Sequence, residues 1–243
     1  MRALILSDIH ANLTALKAVL EDAGSFDQLW CLGDIVGYGP DPNECTALIR
    51  SMSLLKCVKG NHDAAILGEI DLVSFNYEAR ASLMWLMNQL EADHLHWLST
   101  IEERLEFDDI TMVHGSPRNP IWEYLMDPIS AGENMSAFST QLCFVGHTHV
   151  PGVFQQHGDN MKSTRYVAMT DGSEFYPENK VIINPGSVGQ PRDNDPRSAY
   201  AIFDDQANRL EFHRVFYDIE QVQRRILAAG LPRRHASRLK NGW

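Results

Sequence analysis

Asp8-Ile9-His10, Gly33-Asp34, Gly60-Asn61-His62-Asp63, His114-Gly115 and Gly146-His147-Thr148-His149 gather aspartate, asparagine and histidine at five places between residues 8 and 149. These are the side chains that ligate divalent metals. Each place is modest alone, because Asp-x-His also makes a capped turn and a single histidine is usually structural. Together they offer two carboxylates, one amide and four imidazoles, too many donors for one four-coordinate zinc. The set suits two cations ~3.5–4 Å apart that share a carboxylate. Mixed nitrogen and oxygen donors favour Mn, Fe or Zn over Mg and Ca, which prefer oxygen shells.

Five of the 10 histidines fall in these places. The others, His94, His96, His157, His213 and His235, fall in predicted helices, late strands or the tail and read as structural or surface residues.

Each place follows a short apolar run of strand length. The runs are Ala3–Leu6, Gln28–Leu32, Leu54–Val58, Ile110–Val113 and Leu142–Val145. Continuous apolar runs suit strands buried on both faces, and loops past the carboxyl ends of parallel strands converge on one crevice. Helical spacing predicts helices over Asn12–Ala23 (Leu13, Leu16, Val19 and Leu20 inward), Pro42–Arg50 and Ser74–Leu90 (Ala81, Met84, Trp85 and Leu86 inward). Alternating strands and helices read as an α/β fold, largely parallel in the first half. After Pro151, runs at Val153–Gln156, Tyr166–Met169, Val181–Ile183, Tyr200–Phe203 and Leu210–Val215 predict a second sheet rich in antiparallel pairing. A helix over Asp218–Ala229 stops at Gly230, and the basic tail 233–243 is expected to be a frayed, solvated end. The polar segment Gln155–Lys180 is expected to roof the pocket.

Composition bounds the partners. The 243 residues carry 32 acidic and 21 basic side chains, a formal charge of −11, which argues against a broad nucleic-acid-gripping face. No apolar stretch approaches the ~18 residues of a membrane span, and no secretory signal pattern is visible. The four cysteines match no zinc or redox spacing, so thiols in a reduced, cytoplasmic chain are expected.

The series DxH, GD, GNHD, H and GHTH, in this order and strand context, resembles the calcineurin-like metallophosphoesterase superfamily. Gly33 through Pro40 and Asn184 through Arg192 resemble a bacterial and archaeal subgroup related to diadenosine tetraphosphate hydrolases and phosphodiesterases. The resemblance implies one metallophosphoesterase domain over residues 1–243, two mixed β-sheets packed as a sandwich flanked by helices in four αββα layers. It implies that one metal takes Asp8, His10 and His149, a second takes Asn61, His114 and His147, and Asp34 bridges both. His62 would then stand beside the leaving group as general acid or phosphate donor. A hydroxide shared by two cations is an available nucleophile, since bound-water pKa falls to ~7. The expected substrate is a small phosphoester or phosphoanhydride, such as a nucleotide or dinucleoside polyphosphate. Nuclease, protein phosphatase and non-catalytic scaffold are the alternatives.

One departure matters. Serine/threonine phosphatases and symmetric tetraphosphatases carry an arginine four residues after the bridging aspartate, and the phosphatases add an aspartate just before it. Gly37 and Tyr38 stand here instead. Arg118 and Arg192 are the candidates to grip phosphate in its place, since a guanidinium fork matches phosphate geometry. Asp63 is a candidate support behind the ligands or a helix cap, and Tyr38 and Tyr124 are candidates to stack on a base.

Overall fold

The computed structural model describes residues 1–158 and 162–243. Strand β1 (Arg2–Leu6) leads into helix α1 (Leu13–Ala23), then β2 (Gln28–Cys31), α2 (Pro42–Arg50) and β3 (Leu55–Cys57). Helices α3 (Asn61–Ile66), α4 (Tyr77–Leu86) and α5 (Ala92–Ser99) cross to β4 (Arg104–Phe107) and β5 (Ile110–Val113). Helix α6 (Pro128–Asn134) precedes β6 (Leu142–Phe144), β7 (Gly152–Gln156), β8 (Thr164–Ala168) and β9 (Glu174–Phe175). Strands β10 (Val181–Asn184), β11 (Ser198–Asp204) and β12 (Arg209–Val215) complete the sheets, and α7 (Ile219–Ala228) and α8 (Arg233–Asn241) follow.

Two six-stranded mixed sheets result, ordered β3-β2-β1-β11-β12-β9 and β4-β5-β6-β10-β7-β8. Strands β1, β2 and β3 are parallel, as are β5, β6 and β10. The division into a parallel first half and an antiparallel second sheet is therefore corrected. Strand β11 is buried along nearly its whole length, so it belongs inside a sheet and pairs antiparallel with β1. Strand β10, also fully buried, runs parallel beside β6.

Alternation along the strands divides the core between layers. Ala3, Ile5, Trp30, Phe144, Ile183 and Phe203 pack between the two sheets. Leu4, Leu6, Leu29 and Cys31 face the other way, onto Leu16 and Val19 of α1 and Ile49 of α2. Val113, Cys143 and Ile182 of the second sheet meet Ala131 and Met135 on its outer side. Those contacts produce the αββα sandwich.

Helix α1 begins where expected, because the Asn12 side chain accepts from Ala15 N at 3.1 Å. Its buried face is Ala15, Leu16, Val19 and Ala23, with Leu13 and Leu20 half-buried. The helix expected over Ser74–Leu90 is shorter. Asn76 caps it by accepting from Ala79 N at 2.9 Å, and it ends at Leu86. The buried face is Ala79, Ser82, Leu83 and Leu86, whereas Met84 is 56% exposed and Ala81 and Trp85 are half-buried. Leu86 is buried as expected, but the rest of the inward face falls on the small residues Ala79 and Ser82 with Leu83, which let the helix approach a neighbour, rather than on the bulkier Met84 and Trp85.

The tail is corrected as well. Residues 233–241 form α8, which buries His235, Ala236 and Leu239. Ala236 and Leu239 pack with Leu231 on Val222 and Ile226 of α7, and Arg233, Arg234 and Lys240 are exposed. An amphipathic stripe, not a charge run, governs this segment. Segment Gln155–Lys180 supplies β7 to β9, and none of its described residues lines the cavity below; residues 159–161 lie outside the described residues.

Candidate active site

The carboxyl ends of β1, β2, β3, β5 and β6 point to one edge of the sandwich, and the five motifs follow them there. Asp8, His10, Asp34, His147 and His149 all adopt left-handed backbone, with φ between 48° and 65°. Aspartate and histidine tolerate this conformation better than bulkier residues, and its clustering marks a site where surrounding structure fixes the chain. The fixing bonds are visible. His10 N donates to Asp34 O at 2.9 Å, and Val188 N and Gly189 N donate to Ser7 O and Asp8 O at 3.0 and 2.9 Å. Asp8 Oδ2 accepts from Ser7 Oγ at 2.7 Å and from His147 N at 3.1 Å.

Four imidazoles each direct one nitrogen to a main-chain carbonyl. His10 Nδ1 meets Val36 O at 3.3 Å, and His114 Nδ1 meets Leu32 O at 2.8 Å. His149 Nδ1 meets Gln190 O at 2.5 Å, and His147 Nε2 meets Trp122 O at 3.1 Å. A carbonyl only accepts, so each of these nitrogens carries the hydrogen and leaves the other nitrogen with a lone pair in the neutral ring. The remaining nitrogens then face one another: His10 Nε2 and His149 Nε2 at 3.1 Å, His114 Nε2 and His147 Nδ1 at 3.1 Å.

Carboxylates complete two groups. Asp8 Oδ1 is buried without a hydrogen-bond partner and lies 3.1 Å from His149 Nε2. Asp34 Oδ2 lies 3.7 Å from His10 Nε2 and 3.4 Å from His114 Nε2, between the groups, while its Oδ1 accepts from His62 N at 2.8 Å. Asn61 Oδ1 is 3.0 Å from His114 Nε2. Facing lone pairs beside an orphaned carboxylate oxygen repel unless a positive charge lies among them, so this donor set fits divalent cations. Asp8, His10 and His149 form one such group, Asp34, His114 and His147 another, and His10, Asp34 and His62 a third. Burial opposes protonation of His114, yet the Asp34 carboxylate pushes it up to about 9, the behaviour of a site that attracts positive charge.

A cavity of about 180 Å³ opens over these groups, with Asp34, Asn61, His62, His147 and His149 on its floor and Phe75, Trp122, Tyr124, Tyr38 and Arg192 on its walls. His62 is buried against Tyr38 and Phe75, ring centres 4.5 and 5.1 Å away. Burial, helped by the Arg192 charge, holds His62 down to about 4, so its ring is neutral near pH 7. Its Nδ1 has no hydrogen-bond partner. Gly37 explains why no carboxylate orients it: at φ +116° a Cβ would fall 2.6 Å from His62 Nδ1 and 2.8 Å from His10 Nδ1. Position 37 therefore has no room for an aspartate.

The remaining candidates separate. Arg192 lines the cavity and donates to Gln190 Oε1 at 3.1 Å and Tyr38 Oη at 3.4 Å. Arg118 does not line it; its guanidinium pairs with Glu123 and Glu133. The acidic partners stand 5 and 15 residues away on the same loop and helix, and they satisfy the charge there. Asp63 accepts from Gly60 N at 3.0 Å and Val36 N at 3.2 Å, so it fixes the loops behind the ligands. Burial and then the Asp34 charge push it up to about 6. Tyr124 stacks on His147 at 3.7 Å, already occupied by protein, although it remains 46% exposed. Sequence reasoning missed Phe75, Trp122 and the four carbonyl acceptors. Only Trp122, an aromatic in a Pro- and Asn-containing loop after His114, left a readable trace.

Fold and site together define a metal-dependent phosphoric ester hydrolase. The calcineurin-like phosphoesterase superfamily domain matches residues 1–208, and the chain belongs to that superfamily. The crystal structure of a metallophosphoesterase from Sphaerobacter thermophilus is 48% identical and superposes with a TM-score of 0.92 over 100% of this chain and 99% of that one. An uncharacterized protein of Methanocaldococcus jannaschii is 38% identical over 94% of this chain and 93% of its own length. A symmetrical bis(5'-nucleosyl)-tetraphosphatase of Proteus mirabilis is 33% identical over 51% of this chain and 47% of its own. The chain thus spans about half the length of that tetraphosphatase.

Proposed function

We propose that this chain hydrolyses a phosphoester or phosphoanhydride of a small molecule, a nucleotide or dinucleoside polyphosphate among them, with two divalent transition-metal ions of the Mn, Fe or Zn type. The observation that carries the reading is the placement of Asp34 Oδ2 between two groups of converging donors. Asp8, His10 and His149 would hold one ion, Asn61, His114 and His147 the other, and Asp34 both. Such ions supply a nucleophile at neutral pH, because they lower the pKa of water to about 7, and they offset phosphoryl charge.

The chain's own groups do the rest. The carbonyls of Val36, Leu32, Trp122 and Gln190 keep the ligand tautomers and raise ligand basicity. His62, neutral and facing the cavity, donates a hydrogen bond to the leaving oxygen. Arg192, from the cavity wall, holds a phosphoryl oxygen in the role of the arginine absent at position 38. Phe75, Trp122 and Tyr38 wall off part of the cavity and accept an apolar portion of the substrate. The tetraphosphatase relatives support a nucleotide among the substrates.

Hydrolysis of bis(p-nitrophenyl) phosphate with Mn2+ tests this. Asp34→Asn should abolish turnover, and His62→Ala should lower kcat by about 10²-fold or more, the usual contribution of a positioned hydrogen-bond donor to developing charge. Wild-type rates in either folded variant would refute the proposed roles.

A further inference from the structure

Trp122 and Ser74 face two cavities. Besides the one over the metal-ligand groups, both line a second of about 370 Å³. Ile70 and Ile121 continue its apolar wall from Trp122, and Glu69 and Glu103 are the charged residues that line it. These walls are tied to the elements that hold the catalytic groups. Val58, just after β3, bridges to Glu102, and Lys59 N donates to Glu102 O at 2.8 Å. The segment bearing Glu103 is thereby fastened to the loop that carries Asn61 and His62. Ile121 and Trp122 lie in the loop after His114, where Ser116 N donates to Asn119 O at 3.1 Å and the Trp122 carbonyl holds His147. The indole meets Phe75 edge to face, ring centres 5.0 Å apart, so an apolar surface runs from the first cavity into the second.

The two cavities differ in charge. The first presents Arg192 and the donors for cations, which suit a phosphoryl group. Among the described residues, no basic side chain lines the second. Both oxygens of Glu69 accept from Lys59 Nζ, at 2.8 and 2.9 Å, so that carboxylate is matched within the protein. Glu103 is exposed and makes no ion pair among the described residues. A second phosphate placed there would meet the Glu103 carboxylate and no arginine, whereas an ammonium or amino group would be attracted. The indole adds to this preference, because its ring face attracts cations.

We infer that the second cavity binds the organic arm of the substrate against Trp122, Ile70 and Ile121, and that Glu103 selects arms ending in an amino or ammonium group over anionic ones. The shared walls identify the occupant: a molecule held by its phosphoryl group in the first cavity extends past Trp122 and Ser74 into the second. The inference rests on the hydrolase reading above and narrows it to phosphoesters with an organic arm of that kind.

Calorimetric titration of the Mn2+-loaded protein with methylphosphonate, hexylphosphonate, 6-aminohexylphosphonate and 6-phosphonohexanoate tests the subsite without turnover. Hexylphosphonate should bind about tenfold more tightly than methylphosphonate, the effect of burying about two methylenes, and Ile70→Ser should lose part of that gain. The amine should bind about tenfold more tightly than the carboxylate, as an exposed charge pair allows when one probe gains it and the other is repelled. Glu103→Gln should bring this ratio down to about threefold and Glu103→Lys should reverse it. Glu220→Gln, which removes an exposed charge on α7, should leave the ratio unchanged. No gain from the hexyl arm in the wild type, a ratio that both Glu103 variants leave unmoved, or an equal fall in Glu220→Gln would each overturn the subsite. Wild-type turnover of the aryl diester reports separately on the hydrolase reading.

Discussion

At the scale of residues, the site is held by bonds that commit one end of each ligand before any substrate arrives. Carbonyls of Leu32, Val36, Trp122 and Gln190 decide which nitrogen of each imidazole faces inward. The inward atoms then lack any partner but one another, and cation binding relieves their repulsion. Metal removal by a chelator should therefore lower the melting temperature. Mn2+ restored at 100 times its Kd should return about 2.7 kcal/mol, roughly 5–10 °C for a chain of this size. Asp34→Asn should lose most of that gain, and equal melting with and without Mn2+ would refute the metal centre. The ligand types were legible because aspartate, asparagine and histidine after strand-length apolar runs carry a chemical signal. The carbonyls were not, because a main-chain oxygen looks the same on every residue. Arg118 misled for a related reason: sequence shows a guanidinium but not whether Glu123 and Glu133 already neutralise it.

At the scale of elements, strands were easier to read than the helices that cover them. Strands β5 and β6 sit within a residue of their apolar runs, because a buried strand must be apolar throughout. Helix α5 and strand β4 were not anticipated, since half-buried polar sequences such as Arg104–Phe107 give weak periodicity. Helix α8 was hidden by its basic residues, and its consequence is a titration. His235 is buried, and burial holds its pKa down to about 4 from an ordinary 6.5. The unfolded chain takes up this proton as pH falls through 6.5, whereas the folded chain waits until about 4. Stability contributed by neutral His235 is thus complete above 6.5 and is lost toward 4, with a slope of up to about 1.4 kcal/mol per pH unit. In chelator-treated protein, where ligand protonation is common to both chains, His235→Gln should flatten the urea-unfolding stability between pH 6.5 and 4 relative to wild type. Parallel curves would show that His235 is already charged in the fold.

At the scale of the whole molecule, a charge of −11 coexists with a site for anions because bound cations and Arg192 set the local sign there. Carboxylates elsewhere neutralise most arginines, while Arg192 and the cation-binding donors concentrate positive charge at one sheet edge when loaded. Among the described residues no helix is long and apolar enough to cross a membrane. A long nucleic acid needs a basic track, and its affinity then falls by about 10³–10⁵ between 50 and 200 mM salt. A cavity of about 180 Å³ with one guanidinium, Arg192, in its lining offers no track of that length. The KM for a small aryl phosphodiester should therefore rise by no more than about fivefold over that salt range. Single-stranded DNA added to the assay should compete only weakly at 50 mM salt, its many phosphates being repelled by the net charge of −11. Tight competition by DNA that disappears at 200 mM salt would instead reveal a phosphate-tracking surface, and would move the substrate from a small molecule to a polymer.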